Sequence, residues 1–98
     1  MRVFPVTARE SAETLALRAL GWLVTQEELL PGFLAATGSA PADLPARATE
    51  PEFLAAVMDF LLAEDALVMA FCDAAGLPYE APMQARAGLP GGELPHWT

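Results

Sequence analysis

The chain has 98 residues, 54% of them hydrophobic, and its thirteen acidic residues against five arginines give a net charge of −8. This length corresponds to one domain with a small core, and an acidic chain without a basic cluster is repelled by phosphate backbones, which argues against nucleic-acid binding. The single cysteine, Cys72, excludes an internal disulfide, and with an N-terminus that lacks an apolar leader it indicates a reducing cytoplasm.

Residues 1–6 are predicted to form an N-terminal arm, because Pro5 and the exposed start of the chain disfavour a helix. Phe4 in this arm is a candidate interaction residue. It either folds back onto the core or reaches a second subunit, and folding back is the simpler expectation.

The first helix is predicted over Thr7–Val24, where Thr7 and Glu10 match a capping box. Its apolar face includes Leu23 and is widened by residues such as Leu17 and Val24. Gly21 lies inside the helix at a cost of about 1 kcal/mol relative to alanine. The usual compensation is a neighbouring helix that must come close, so we expect one there.

A second helix is predicted to open at Thr25 and to end at Gly38, which takes the left-handed conformation at low cost. Pro31 falls in its second turn and removes a backbone donor, so a kink or restart is expected. Residues 39–48 are predicted to be a connector with one short helix, anchored in the core by Leu44.

The most apolar stretch, residues 53–71, is predicted to organise the core as two helices that meet near Ala63 and Glu64. In the first of these, Pro51–Ala63, the least apolar residues recur at three- and four-residue steps and form one narrow stripe: Glu52, Ala56, Asp59 and Ala63. The rest of the circumference is apolar, which is typical of a helix buried on several sides. Thr49 is the predicted N-terminal cap of the helix Pro51–Ala63. A membrane span is rejected, because a central Asp59 would cost about 2.5–3.5 kcal/mol in hydrocarbon.

The C-terminal part is predicted to contain a helix over Glu64–Ala75 that ends at Gly76, and a last, irregular helix from Pro78 to about Ala87. Residues 89–98 are rich in proline and glycine and are predicted to be a flexible tail. Trp97 in this tail is a candidate interaction residue, either as part of a docking peptide or as part of a lid on its own domain.

The chain contains an internal similarity at a shift of 38 residues, which lays residues 19–38 over residues 57–76. Leu23 then matches Leu61, Phe33 matches Phe71, and Trp22 falls on Phe60. One interpretation is a duplication of residues 10–48 and 49–87 into two helix-pair units around a pseudo-twofold axis. The other is chance matching in a chain rich in alanine and leucine.

The sequence contains no constellation typical of catalysis, metal binding or cofactor binding. His96 and Cys72 are the only residues of their types, so a zinc site or a Cys–His pair is not expected. Asp59 is the one candidate, because it interrupts an apolar helix. The simpler expectation is that it points to water or pairs with an arginine such as Arg18; the alternative is a functional carboxylate in a pocket.

Five runs along the chain stand out together: LALRALGWL, ELLPGFLAATG, PADLPARA, PEFLAAVMDFLLAEDALVMAF and AAGLP. In combination they resemble a family of small alphaproteobacterial proteins, about a hundred residues long, that is classed as a domain of unknown function. The resemblance spans Glu13 to about Leu89. It implies a cytoplasmic alphaproteobacterial protein and supplies no activity, cofactor, partner or catalytic residue.

These observations predict an all-α fold without a β-sheet, in which residues 7–88 form one compact bundle of five to six short helices. The leading function hypothesis is a non-enzymatic protein–protein interaction module that self-associates, because the chain is short, apolar and free of reactive clusters. The second hypothesis is a helical domain that binds a small apolar ligand between its two units, lined by large residues such as Trp22, Phe33, Phe60 and Phe71. An enzyme ranks third. No cofactor, nucleic acid or membrane partner is expected.

Overall fold

The computed structural model describes residues 8–91, with side chains from Ser11 onwards, and all regular secondary structure in this part of the chain is helical, with no strand. The elements are α1 (Ala8–Leu23), α2 (Leu30–Thr37), a 3-10 turn (Pro41–Asp43), α3 (Leu44–Arg47), α4 (Pro51–Leu62), α5 (Asp65–Ala75) and α6 (Ala81–Ala87). The predicted all-α fold of five to six helices is therefore confirmed for residues 8–91. The arm of residues 1–6 and the cap residue Thr7 lie outside the described residues.

Helix α4 is the centre of the core, as its pattern predicts. It packs against α1, α2, α5 and α6. Its buried residues cover most of the helix circumference: Phe53, Leu54, Ala55, Val57, Met58 and Leu61. Glu52, Asp59 and Ala63 are exposed on the predicted stripe. Burying five or six large apolar side chains stabilises a domain by about 1.5–3 kcal/mol for each of them, so α4 supplies a large share of the stabilisation.

Proline and glycine set several of the helix boundaries. Pro51 is the first residue of α4, where a backbone N–H would have no hydrogen-bond partner within the helix, so its absence in proline costs nothing. Gly38 and Gly76 end α2 and α5 in the left-handed conformation, with φ of 66° and 72°. Thr49, however, does not cap α4: its hydroxyl donates to the carbonyl oxygen of Ala46 at 2.8 Å, because that acceptor in the preceding turn is within reach.

Two helices begin later than predicted. Helix α2 starts at Leu30, not at Thr25, so that Pro31 lies in its first turn, where proline is tolerated without a kink. The preceding residues 24–29 form turns. Helix α6 likewise starts at Ala81, not at Pro78, and holds Pro82 in its first turn. In both cases the start moves to the position that places the proline where no backbone hydrogen bond is lost.

Helix α1 packs against α4 and α6 and, to a smaller extent, against α5. The expectation of a close helix at Gly21 is wrong, because a Cβ atom there would meet nothing within 4 Å. Leu17 and Val24 do not extend the buried face either; they are 45% and 41% exposed. The buried residues of α1 form a narrower stripe, which consists of Ala12, Ala16, Ala19, Leu20 and Leu23.

Aromatic contacts link the two halves of the chain in a reciprocal way. The ring centroids of Trp22 and Phe71 are 5.8 Å apart, and those of Phe60 and Phe33 are 5.4 Å apart. The 38-residue shift carries Trp22 to Phe60 and Phe33 to Phe71, so it converts one contact into the other. A pseudo-twofold arrangement predicts such a pair of contacts; the duplication itself stays a prediction.

Candidate functional site

Of the three candidate interaction residues, only Asp59 lies in the described part of the chain; Phe4 and Trp97 lie outside it. Arg86 donates from Nε to Oδ1 of Asp59 at 2.7 Å and from Nη2 to Oδ2 at 3.4 Å. The expectation that Asp59 points to water or pairs with an arginine is confirmed, but the arginine is Arg86 on α6 and not Arg18 on α1, the example that the sequence suggested. The Asp59 side chain is 60% exposed and that of Arg86 is 19% exposed, so Asp59 is a surface carboxylate in an ion pair.

Arg86 also ties the end of α6 to the domain. Its Nη1 donates to the carbonyl oxygen of Pro90 at 2.9 Å, and the adjacent Leu89 is buried at 2% exposure. The sequence placed both residues at the start of the flexible tail. Leu89 instead packs into the core and Pro90 is partly buried, while residues 92–98 lie outside the described part.

The other two arginines with described side chains cap helix ends. Arg18 donates from Nη2 to the carbonyl oxygen of Ala75, the last residue of α5, at 3.0 Å. Arg47 donates from Nη1 to the carbonyl oxygen of Thr37, the last residue of α2, at 3.2 Å. Cations at these ends complement the negative end of the helix dipole. Their contacts are structural and do not bring Arg18 to Asp59.

An open groove of about 330 Å³ lies between the end of α4, one face of α5 and the start of α6. We call it the α5–α6 groove. It is lined by Leu62, Asp65, Val68, Met69, Tyr79 and Met83. Three of these are large side chains with high exposure: Met69 at 46%, Tyr79 at 48% and Met83 at 69%. Flexible methionine side chains can adapt to varied apolar surfaces, and proteins use them at binding sites for that reason.

A hydrogen bond at one end of the groove links its wall to an acidic residue. The Tyr79 hydroxyl donates to Oδ1 of Asp73 at 2.8 Å. This bond, with weaker help from desolvation and from the negative charge of Asp73, raises the pKa of Tyr79 above its ordinary value of 10.0. The phenol is therefore a neutral donor at physiological pH, which fixes an acidic group beside the apolar wall.

The Asp59–Arg86 ion pair lies next to the groove. Asp59 is three residues before Leu62 on α4, and Arg86 is three residues after Met83 on α6, and side chains three apart on a helix are neighbours. Leu62 and Met83 both line the groove. The candidate residue Asp59 thus borders the groove without forming part of its wall.

Cys72 is a core residue of α5 beside the turn that leads to α6. It is fully buried, and its Sγ lies 3.4 Å from the carbonyl oxygen of Pro78, to which the thiol donates. Burial, followed by the negative charges of Asp73 and Glu80, raises the pKa of the thiol. A thiol held neutral and shielded from solvent is a packing residue, not a nucleophile.

Among residues 8–91, no three histidine, cysteine or acidic side chains come together as metal ligands would. No helix within those residues has the length and apolar character that crossing a bilayer requires. What the groove provides is an apolar surface with exposed methionines and acidic neighbours.

Sequence reasoning missed Met69, Tyr79 and Met83. None of the three was among the candidate interaction residues, although Met69 lies four residues from both Asp65 and Asp73. Residues four apart share a helix face, so this spacing was a signal that Met69 is exposed with the two acids. Nothing comparable in the sequence indicates that α6 completes the groove.

Comparison with known proteins adds a family but no activity. A family model described as a protein of unknown function (DUF3572) matches residues 9–92. No curated protein and no solved structure matches the chain. The resemblance seen in the sequence is confirmed at the level of the family.

Proposed function

Because the chain belongs to the DUF3572 family, proteins of unknown function whose model spans residues 9–92, we propose a function from its surface: a non-enzymatic protein–protein interaction module that binds an apolar helix of another protein in the α5–α6 groove. The observation that carries this proposal is the exposure of Met69 and Met83, at 46% and 69%, in the wall of one groove. Helix-in-groove binding uses apolar anchors on one face of the bound helix, and flexible methionines suit such anchors.

A partner helix is a better occupant than a second copy of this chain. Each copy carries a net charge of −8, and the groove wall contains the carboxylate of Asp65. Like charges brought together at an interface oppose association. The self-association expected from composition thus stays a prediction, and so does the cytoplasmic location.

A small apolar ligand between the two helix pairs has less support. The large residues expected to line such a cavity contact each other: Trp22 meets Phe71, and Phe33 meets Phe60. Phe33 and Phe71 are fully buried in those contacts. The space between the pairs is thus occupied by the side chains of the protein itself.

The chain provides its own reporters for a test. It has four methionines, of which Met58 is buried in the core at 0% exposure while Met69 and Met83 lie in the groove. We would label the methionine methyl groups with ¹³C and titrate a helical peptide of about 18 residues with one leucine stripe and glutamine elsewhere. The Met69 and Met83 signals should shift, and the Met58 signal should not.

Two matched variants locate the binding surface. Met83→Asp should weaken peptide binding at least about tenfold, since burying a carboxylate against an apolar helix is costly. Leu17→Asp places the same charge on the exposed face of α1, where Leu17 is 45% exposed, and should leave binding unchanged. If the Met69 and Met83 methyl signals do not shift when the peptide is added, the proposal is refuted. Signals that move with protein concentration alone would instead indicate a second copy in the groove and contradict a distinct partner.

A further inference from the structure

The α5 side of the groove carries an ordered arrangement of charge around an apolar side chain. Asp65, Met69 and Asp73 follow one another at four-residue steps, and all three are exposed. Residues at this spacing lie on one helix face. Eight residues at about 1.5 Å each place the two carboxylates roughly 12 Å apart along the helix, with the methionine between them.

Both acids are held beside the apolar wall. Asp65 lines the groove itself. Asp73 is bound to the Tyr79 hydroxyl at 2.8 Å, and Tyr79 is part of the wall. The groove therefore has one acid at each end of α5.

The segment that forms α5 and most of α6 supplies no cation to these acids, although Arg18 of α1 reaches the end of α5, where it donates to the carbonyl oxygen of Ala75. Residues 60–85 contain four acidic residues and no lysine, arginine or histidine. Arg86, the next cation along the chain, is occupied by Asp59 and by the carbonyl oxygen of Pro90. The sequence thus concentrates negative charge on the helices that form the groove.

We propose that the partner is a cationic amphipathic helix, with lysine or arginine residues about two turns apart that pair with Asp65 and Asp73. The apolar side chain between those two cations packs on Met69 and Met83. This inference rests on the proposed function and adds the chemistry of the partner. Charge complementarity selects this occupant, because a basic helix satisfies both carboxylates while its apolar stripe covers the methionines.

The test compares three peptides that share the same leucine stripe and differ at the two flanking positions, which are lysine, glutamine or glutamate. We expect affinity to fall in that order, with lysine about tenfold tighter than glutamine at low salt, as two partly exposed ion pairs allow. The advantage should largely disappear at about 1 M salt, where the Debye length is near 3 Å. Fluorescence anisotropy of labelled peptides measures each affinity.

A matched pair of double variants separates local charge from net charge. D65N/D73N should make the lysine and glutamine peptides bind equally. E27Q/E28Q removes the same number of charges from exposed residues in the turn before α2 and should preserve the lysine preference. If both double variants lose the preference for the lysine peptide to the same extent, the inference is overturned, because the attraction would then depend on net charge only.

The outcomes distinguish this inference from the function on which it rests. If the lysine and glutamine peptides shift the Met69 and Met83 signals with equal affinity, the groove binds helices but the cationic partner is wrong. If no peptide shifts those signals, the proposed function itself fails.

Discussion

Removing Arg86 should destabilise the protein more than removing its ion-pair partner Asp59. Arg86 makes three contacts through one guanidinium group, to Oδ1 of Asp59 at 2.7 Å, to Oδ2 at 3.4 Å and to the carbonyl oxygen of Pro90 at 2.9 Å. The two perturbations are Arg86→Met, which keeps a long side chain but deletes all three contacts, and Asp59→Asn, which keeps an oxygen acceptor.

The difference in exposure gives the magnitudes. The Asp59 side chain is 60% exposed, so water solvates the carboxylate when the pair is broken, and such pairs contribute about 0.2–1 kcal/mol. Asp59→Asn should therefore cost at most about 1 kcal/mol. The Arg86 side chain is only 19% exposed, and its bond to the carbonyl oxygen of Pro90 has a charged donor. Such a bond adds about 1.5 kcal/mol or more to the free energy of unfolding. Arg86→Met should thus cost about 2–3 kcal/mol.

Urea denaturation followed by tryptophan fluorescence measures both free energies of unfolding. The double variant should cost about as much as Arg86→Met alone, because the ion pair is already absent. Equal costs for the two single variants would refute the reasoning, since they would mean that the bond to Pro90 contributes nothing. A cost below about 1 kcal/mol for Arg86→Met would refute it as well.

Three further predictions concern other parts of the molecule. Gly21→Ala should stabilise the protein by about 0.5–1 kcal/mol, because the position is helical and open. Gly76→Ala should destabilise it by about 1–2 kcal/mol, because φ at this residue is 72°. Thermal unfolding of both variants checks that the two effects have opposite signs. Tyr79 is the only tyrosine, so the phenolate absorbance should titrate above pH 10.0 and move lower in Asp73→Asn. Since its folded pKa is raised, the stability it contributes is present below pH 10.0 and is lost as pH rises through the folded value. The buried Cys72 should react with an aromatic disulfide reagent only as fast as the protein unfolds, and rapid labelling of the native protein would contradict its packing role.

Local physical chemistry explains why much of the fold was predictable. Pro51 opens a helix because its missing donor has no partner to lose, and Gly76 closes one because only glycine takes positive φ without strain. The narrow polar stripe of α4, which includes Asp59, indicates a helix with neighbours on several sides. These conclusions need only residues within one or two helical turns.

The candidate site depended on contacts between distant parts of the chain. The sequence predicted that Asp59 points to water or pairs with an arginine such as Arg18, but it could not show that α6 brings Arg86 from 27 residues away. Met69 and Met83 come from different helices, and only the packing of both α5 and α6 against α4 brings them to one groove.

The amino-acid sequence by itself determined the helices, the central place of α4 and the uneven distribution of charge. Tertiary structure alone decided which apolar residues stay in contact with water. The physical reason is that periodicity shows which side chains share a helix face, while burial depends on whether another helix covers that face. Leu17 was expected to widen the buried face of the first helix, yet it is 45% exposed because no helix in the described part of the chain covers it.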